Sequence, residues 1–325
     1  MPQQKVAIVT GVTGQDGSIL SELLLNKGYK VFGTIRRSSK GNDLGNSANL
    51  EHRNNFEVIE IDITDLPSLI SLCKQAKAHF FYNTASQSHV GTSFTQPIYT
   101  AEATGVSVLN CLEAIRTSGY HTRFLNFATS EMFGGIYNKP CNEETPLYPR
   151  SPYAAAKAFG FHTTRNYREA YRMFACSAIF FNHESEKRGP NFVTRKITIA
   201  IANIKAGKQD YVYLGNLEAK RDWGYAWDYM NGAISILETS EPDDFVLATG
   251  ETHSVREFCE IAFKYAGLGD YRDYVKVDPR FFRPTEVDVL IGDYSKINKK
   301  LNWSPTTSFE DLVKKMVEHD TSLIK

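Results

Sequence analysis

The sequence has little that would mark a membrane, metal-binding or nucleic-acid-binding protein. No apolar run approaches the roughly 20 residues that a transmembrane helix needs. The amino terminus, MPQQKVAIVTG, lacks a charged segment followed by a long apolar one, so it reads as a strand rather than a leader. Cysteine is scarce. The five residues, Cys73, Cys111, Cys141, Cys176 and Cys259, form no CxxC pair, which excludes a recognisable zinc or redox motif and fits reduced thiols in the cytoplasm. The eight histidines show no HExxH spacing, and no metal site is expected. An excess of charge is missing too: 37 basic and 37 acidic side chains cancel over 325 residues. Bulk attraction to nucleic acid or to an anionic membrane is therefore not expected, while the balance does not exclude a local basic pocket for one small anion. With 42% hydrophobic and 23% charged residues, the composition is that of a globular protein and argues against disorder.

What is present is a regular alternation. Short apolar, β-branched runs at 5–11, 30–36, 57–63, 79–85, 124–130 and 176–182 read as strands. Helical spacing falls between most of them, notably over 15–27, 66–76, 98–118 and 152–171. This order predicts an α/β fold with a Rossmann-type, doubly wound parallel sheet. Strands buried on both faces should be continuously apolar, as IVT, VIEI and AIFF are. After residue 182 the rhythm loosens. Residues 183–191 (HESEKRGPN) read as a charged turn, DDFVLATG (243–250) as a late strand of the first sheet, and 192–206, 254–266 and 307–318 as helices. The expected organisation is a dinucleotide-binding domain, 1–182 plus about 216–250, interleaved with a smaller C-terminal substrate lobe, about 183–215 plus 251–325.

The first strand runs into Gly11-Val-Thr-Gly14-Gln-Asp-Gly17. Glycines at a first βα turn let the chain bend sharply and let a pyrophosphate approach the backbone, while the next helix offers free N–H groups and a partial positive charge. NAD-binding versions place an acidic residue about 20 positions on, to accept from the ribose 2′-hydroxyl. This chain has Arg36, Arg37, Ser38 and Ser39 there, and two guanidiniums suit a 2′-phosphate, which points to NADP. Asp62, ending the third strand, is placed to accept from the adenine amine.

Ser151-Pro152-Tyr153-Ala-Ala-Ala-Lys157 opens a helix with a capping serine and a proline suited to the first turn. Tyr153 and Lys157, four apart, share a face. A phenol with an unperturbed pKa near ~10 is a poor base at neutral pH unless a neighbouring cation stabilises the phenolate. Thr129-Ser130-Glu131 closes the fifth strand. If it stays extended, Thr129 and Glu131 face one side and Ser130 the other, at the strand ends where such sheets bind ligands.

These strings, together with ASQSHV, NHESEKRG, NFVTRK, LGNLEAKRDWG, ATGETHSVREF and RPTEVD, resemble the GDP-mannose 4,6-dehydratases among the extended short-chain dehydrogenases/reductases, from about residue 5 to 320. The resemblance implies catalytic roles for Thr129, Glu131 and Tyr153, with Lys157 binding the nicotinamide ribose and assisting the tyrosine. It implies cofactor contacts at Gly11, Gly14, Gln15, Asp16, Gly17, Arg36, Arg37, Ser38, Asp62, Ile63, Ser88, Tyr99, Lys157, His183 and Arg188. Substrate contacts are implied at Asn182, Lys196, Arg221, Arg283 and Glu286. It also implies NADP as cofactor, GDP-mannose as substrate, a homodimer or homotetramer, and a minor capacity to reduce the 4-keto product to GDP-rhamnose with NADPH. The chain departs from the usual pattern at Thr84 and Ser86, in ATSEMFG, and at Glu186-Lys187, without losing an essential group. Two other readings stay open: another nucleotide-sugar epimerase or reductase of this fold, and a cofactor-sensing protein without catalysis.

Overall fold

The computed structural model describes residues 4–37, 43–282, 284, 285 and 287–324. Strands β1 (Val6–Thr10), β2 (Lys30–Ile35), β3 (Phe56–Glu60), β4 (Phe80–Asn83), β5 (Arg123–Thr129) and β6 (Ala175–Phe180) join the late strand Phe245–Leu247 in one seven-stranded sheet. Its order is β3-β2-β1-β4-β5-β6 followed by Phe245–Leu247, and every pairing is parallel. The order reverses direction at β1, which pairs with β2 on one side and β4 on the other, so a crevice opens beyond their carboxyl ends. All of β6 is buried, as its unbroken apolar run requires. The core on one face of the sheet includes Ile19, Leu24, Tyr229 and Ile234; the other is filled by Leu69, Leu72, Cys111 and Ile115.

The run read as a strand over 176–182 is two elements. β6 ends at Phe180, and a separate strand β7 (Asn182–Glu184) pairs with Trp223–Tyr225 outside the main sheet. Beyond it, helices Val193–Lys205, Val255–Tyr265 and Phe309–Ser322 enclose another core around Ile201, Trp223, Phe258, Phe263 and Met316. Among the described residues, no helix is long and apolar enough to cross a membrane, and no cluster of His, Cys, Asp or Glu is arranged for a metal ion.

The helix Pro152–Tyr171 carries the Tyr-Lys pair. Ser151 Oγ accepts the Ala154 N–H at 3.0 Å, fixing the first turn as the sequence predicts. Its docking depends on small residues: a Cβ at Gly105 would lie 3.0 Å from Ala156 O, and one at Gly160 would lie 2.9 Å from Val108 Cγ2. Gly105 belongs to a π-helical turn, Ala101–Val106, within the otherwise α-helical span 97–118. The same turn aims Thr104 at the β4 exit, where its Oγ1 accepts the Gln87 N–H at 3.1 Å.

Candidate active site

A cleft of about 1550 Å³ runs along the carboxyl ends of the strands and on between the two cores. At one end lies the glycine turn. Gly11 has φ +67°, a conformation that a side chain disfavours, and a Cβ there would sit 3.0 Å from Ala85 Cα. Helix α1 (Gln15–Asn26) follows Gly14, and at Gly17 it passes so close to the turn that a Cβ would meet Gly11 O at 2.4 Å. The β1 and β4 ends are tied together, with Thr10 Oγ1 donating to Asn83 Oδ1 at 2.8 Å and accepting from Ala85 N at 3.1 Å. Thr84, one of the departures from the family pattern, donates its hydroxyl to Thr10 O.

The start of α1 is fastened to the segment after β6. Gln15 Nε2 donates to Asp16 Oδ1 (3.0 Å) and His183 O (3.1 Å), and its Oε1 accepts from Ser185 Oγ (2.9 Å). His183 Nε2 lies 3.0 Å from Asp16 Oδ1. Burial opposes charge on both, but their mutual attraction prevails: the Asp16 carboxyl is brought down to about 2 and the His183 imidazole is raised. This pair, whose Asp16 side chain is 23% exposed, and the glycine turn together form the floor of that end of the cleft.

Arg36 reaches the cleft beside Tyr99, donating to its hydroxyl at 2.7 Å. Asp62, Ile63 and Ser88 line the same end. Asp62 accepts from Thr64 N (2.9 Å) and Thr64 Oγ1 (2.8 Å) through one oxygen. Arg37 is not in the lining: its side chain is 88% exposed and stands 4.0 Å from Glu60. Ser38 lies outside the described residues.

Thr129, Glu131, Tyr153 and Lys157 converge near the middle of the cleft. Glu131 is not presented by strand alternation. The chain leaves β5 at Thr129 and enters a short 3-10 turn, Ser130–Phe133, because Thr129 Oγ1 accepts the Glu131 N–H at 3.3 Å. Ser130 therefore shares the cleft with Thr129 and Glu131 instead of facing away. Burial pushes the Tyr153 phenol well up; the hydrogen bond from Thr129 and the Arg188 cation pull it back, and Glu131 and Asp16 push it further. Lys157 is 6% exposed, and burial lowers its ammonium to about 8. Its Nζ donates to Phe127 O at 2.6 Å and stands 5.8 Å from the Tyr153 ring centroid. The site thus holds a phenol and a carboxyl side by side, with a lysine whose charge is held at a cost.

Towards the other end are Asn182, Lys196 and Arg221, with His183 and Arg188 between. Lys196 Nζ lies 3.7 Å from the Phe281 ring centroid, and Arg221 Nη1 donates to Lys220 O at 2.8 Å. Arg283 and Glu286 lie outside the described residues. Sequence reasoning missed Glu184, a cleft residue only 2% exposed; the string HESEKRG looks solvated, and only the i, i+4 spacing of Glu184 and Arg188 hints at a pair.

The family described as GDP-mannose 4,6 dehydratase matches residues 8–316. The chain belongs to the GDP-mannose 4,6-dehydratase family. GDP-mannose 4,6 dehydratase 2 of Arabidopsis thaliana is 48% identical, over 99% of this chain and 88% of that protein. The Drosophila melanogaster GDP-mannose 4,6 dehydratase is 46% identical over the same shares of the two chains, 99% and 88%. Among solved structures, RMD from Pseudomonas aeruginosa, complexed with NADPH, superposes with a TM-score of 0.81 at 19% identity, over 98% of this chain and 100% of that one. That last likeness shows the fold alone, which is the one described above.

Proposed function

We propose that this protein converts GDP-mannose to GDP-4-keto-6-deoxymannose, with NADP as its resident cofactor. The observation that carries the reading is the meeting of Thr129, Glu131 and Tyr153 in one cleft with the glycine turn. A simple C4 oxidation or epimerisation needs the tyrosine; loss of water across C5 and C6 also needs a base for the C5 proton, and Glu131 supplies a carboxylate there.

The residues present fit a dinucleotide. A side chain at Gly14 would project into the cleft, meeting only Gly11 O, at 3.4 Å; that open space beside the start of α1 is a cradle for phosphate. Arg36 stands at the adenosine end of the cleft, where a 2′-phosphate would sit, and Tyr99 orients it. Bound there, NADP would supply the acceptor for the C4 hydride and the donor of that hydride to C6, with no net change in its oxidation state. Tyr153 takes the proton of the sugar 4-hydroxyl, with Thr129 donating to the phenol oxygen. The 4-ketone acidifies C5–H, and Glu131 removes that proton and delivers it to the departing 6-hydroxyl, which leaves as water; when C6 regains the hydride, C5 takes up a proton and Tyr153 gives up the one it took from the 4-hydroxyl, by exchange with solvent, so that both residues end as they began. The Arg188 cation, with the Thr129 hydrogen bond, opposes the rise that burial imposes on the phenol, and Lys157 stands with its Nζ 5.8 Å from the ring centroid, placed to assist it. Lys196, Arg221 and Arg283 are the cations proposed for the diphosphate, and Asn182 and Glu286 are further substrate contacts that the resemblance implies.

The division into a cofactor domain (1–182 plus about 216–250) and a substrate lobe belongs to the same proposal, as does assembly into a homodimer or homotetramer. Exposed Ile98, Val106, Phe159 and Tyr171 on the spans 97–118 and 152–171 support the assembly. The deciding experiment is mass and NMR analysis of the product from GDP-mannose, with and without NADPH. A product one water lighter, with a C6 methyl group and no net use of NADPH, is expected. An isomer of unchanged mass would make the protein an epimerase instead.

A further inference from the structure

Glu184 has no part in the chemistry above, yet it is a buried carboxylate in the middle of the cleft. It ends β7, and its Oε2 accepts a hydrogen bond from the Thr194 hydroxyl in the first turn of the helix Val193–Lys205. The same oxygen lies 3.1 Å from Arg188 Nε. That Nε is buried and not aligned for a hydrogen bond, so the attraction is that of an ion pair. The flat face of the guanidinium rests 3.8 Å from the Phe192 ring centroid. Arg188 O accepts from Arg195 Nη1 at 3.1 Å, and Arg195 is itself paired to Asp320 at 2.7 Å. Arg188 is thus held at its edge, its face and its backbone. No hydrogen bond from its Nη1 or Nη2 to another described residue occurs, and the residue lines the cleft. Its charge is felt at Asp16 and His183, on the floor of the glycine turn, and at Tyr153.

We propose that Glu184 is a positioning residue: with Thr194 and Phe192, its carboxylate holds the Arg188 guanidinium where its free N–H groups serve the bound cofactor and its charge serves Tyr153. A guanidinium at the end of a flexible side chain loses rotamer freedom when it meets an anion; pinning it beforehand removes that cost from binding. An unpaired carboxylate this deeply buried would be expensive, and Arg188 and Thr194 answer it. The inference rests on the proposed reading of the cleft as a nicotinamide site with Tyr153 as base.

The test is a double-variant cycle read by NADPH fluorescence titration without any sugar. Glu184→Gln keeps the shape and removes the charge, and should weaken NADPH about tenfold, the usual scale for a lost contact to a charged group. Thr194→Val should act in the same direction more weakly, and Glu184→Asp should recover part of the loss. In an Arg188→Ala background, Glu184→Gln should add nothing, because its effect passes through the arginine. In GDP-mannose turnover, Glu184→Gln should shift the limb governed by Tyr153 to higher pH. Wild-type NADPH affinity with an unmoved pH profile overturns the proposal, and so does an undiminished effect in the Arg188→Ala background. If Glu184→Gln does not fold, Thr194→Val with Arg188→Ala decides by the same criterion. If the wild type fails to dehydrate GDP-mannose, the functional reading falls, and the NADPH cycle still decides the role of Glu184.

Discussion

Replacing Lys157 with methionine should abolish most turnover and yet leave the protein at least as stable at neutral pH. Lys157 is 6% exposed, and burial carries its ammonium from an ordinary 10.5 to about 8. A displacement of that size corresponds to roughly 3 kcal/mol of cost for keeping the folded side chain charged at pH 7. Against this stands the bond to Phe127 O at 2.6 Å. A charge-assisted hydrogen bond contributes about 1.5–3 kcal/mol, so its loss cancels much of the gain. Methionine has a similar length and no charge to desolvate. Lys157→Met should therefore be neutral to about 2 kcal/mol more stable at pH 7 by urea unfolding. The pH dependence has a fixed sign. The unfolded chain keeps this proton up to about 10.5 and the folded chain releases it near 8, so the wild type gains stability as pH rises between those values. The advantage of the variant should be largest at or below pH 7 and should fade towards pH 10. A variant more than about 2 kcal/mol less stable than wild type at pH 7, or a difference that does not shrink with rising pH, would refute the reasoning.

Further outcomes follow from the same geometry. Glu131→Gln should lower turnover of GDP-mannose by ~100–10,000-fold and slow deuterium entry at C5 in D2O, while Tyr153→Phe should block cofactor reduction at the outset; activity within about threefold of wild type for the glutamine variant would assign the C5 base elsewhere. Arg36→Ala with Arg37→Ala should erode the preference for NADP over NAD at least about tenfold, nearly all of it from Arg36, and an equal share for the exposed Arg37 in the single variants would contradict the placement. Gly17→Ala should cost several kcal/mol (~3 or more) in urea unfolding, or cofactor binding altogether, since its Cβ would overlap Gly11 O at 2.4 Å; a variant that folds and binds NADPH as wild type does would show that the turn can relax.

The parallel sheet was legible because strands covered on both faces must be apolar along their whole length, and the late strand in DDFVLATG was readable for the same reason: Phe245, Val246 and Leu247 are all buried. The helix bearing Tyr153 announced its first turn through Ser151 and Pro152. The parts that were hidden share a cause, in that each is decided by a contact distant in sequence or by one hydrogen bond. Strand alternation kept Glu131 extended, whereas the Thr129 hydroxyl turns the chain into a 3-10 turn. Arg36 and Arg37 read as equivalent, but β2 ends at Ile35 and only Arg36 finds Tyr99, which is 63 residues on. The π-helical turn at Ala101–Val106 lies inside a pattern that looks uniformly helical. HESEKRG looked like a solvated turn because its charges are answered one by one: Glu184 by Arg188, Lys187 by Glu22, and Glu186 by the Trp227 indole N–H.

Several ionisable groups that the fold buries at a cost lie in or beside the cleft, and one of them bears on how the two cores are joined. Asp222 is fully buried between Arg221, which faces the cleft, and Trp223, which belongs to the C-terminal core. Its carboxylate accepts from Thr249 N and Oγ1 (each 2.7 Å), Gly250 N (3.0 Å) and Gly292 N (3.2 Å). Burial pushes its pKa up to about 6 in spite of these donors. A hydrophobic side chain of similar volume would avoid that cost but could not draw backbone N–H groups from separate segments onto one point. The strand that presents Arg221 is thereby locked to the residues after Phe245–Leu247 at the edge of the main sheet. Lys157, Tyr153 and the Asp16–His183 pair follow the same logic: each accepts a desolvation cost that the surrounding apolar packing offsets, and each gains a fixed position. A side chain fixed in a desolvated position is not placed for greatest stability, so a stabilising substitution such as Lys157→Met should be found at the cleft more readily than in either core.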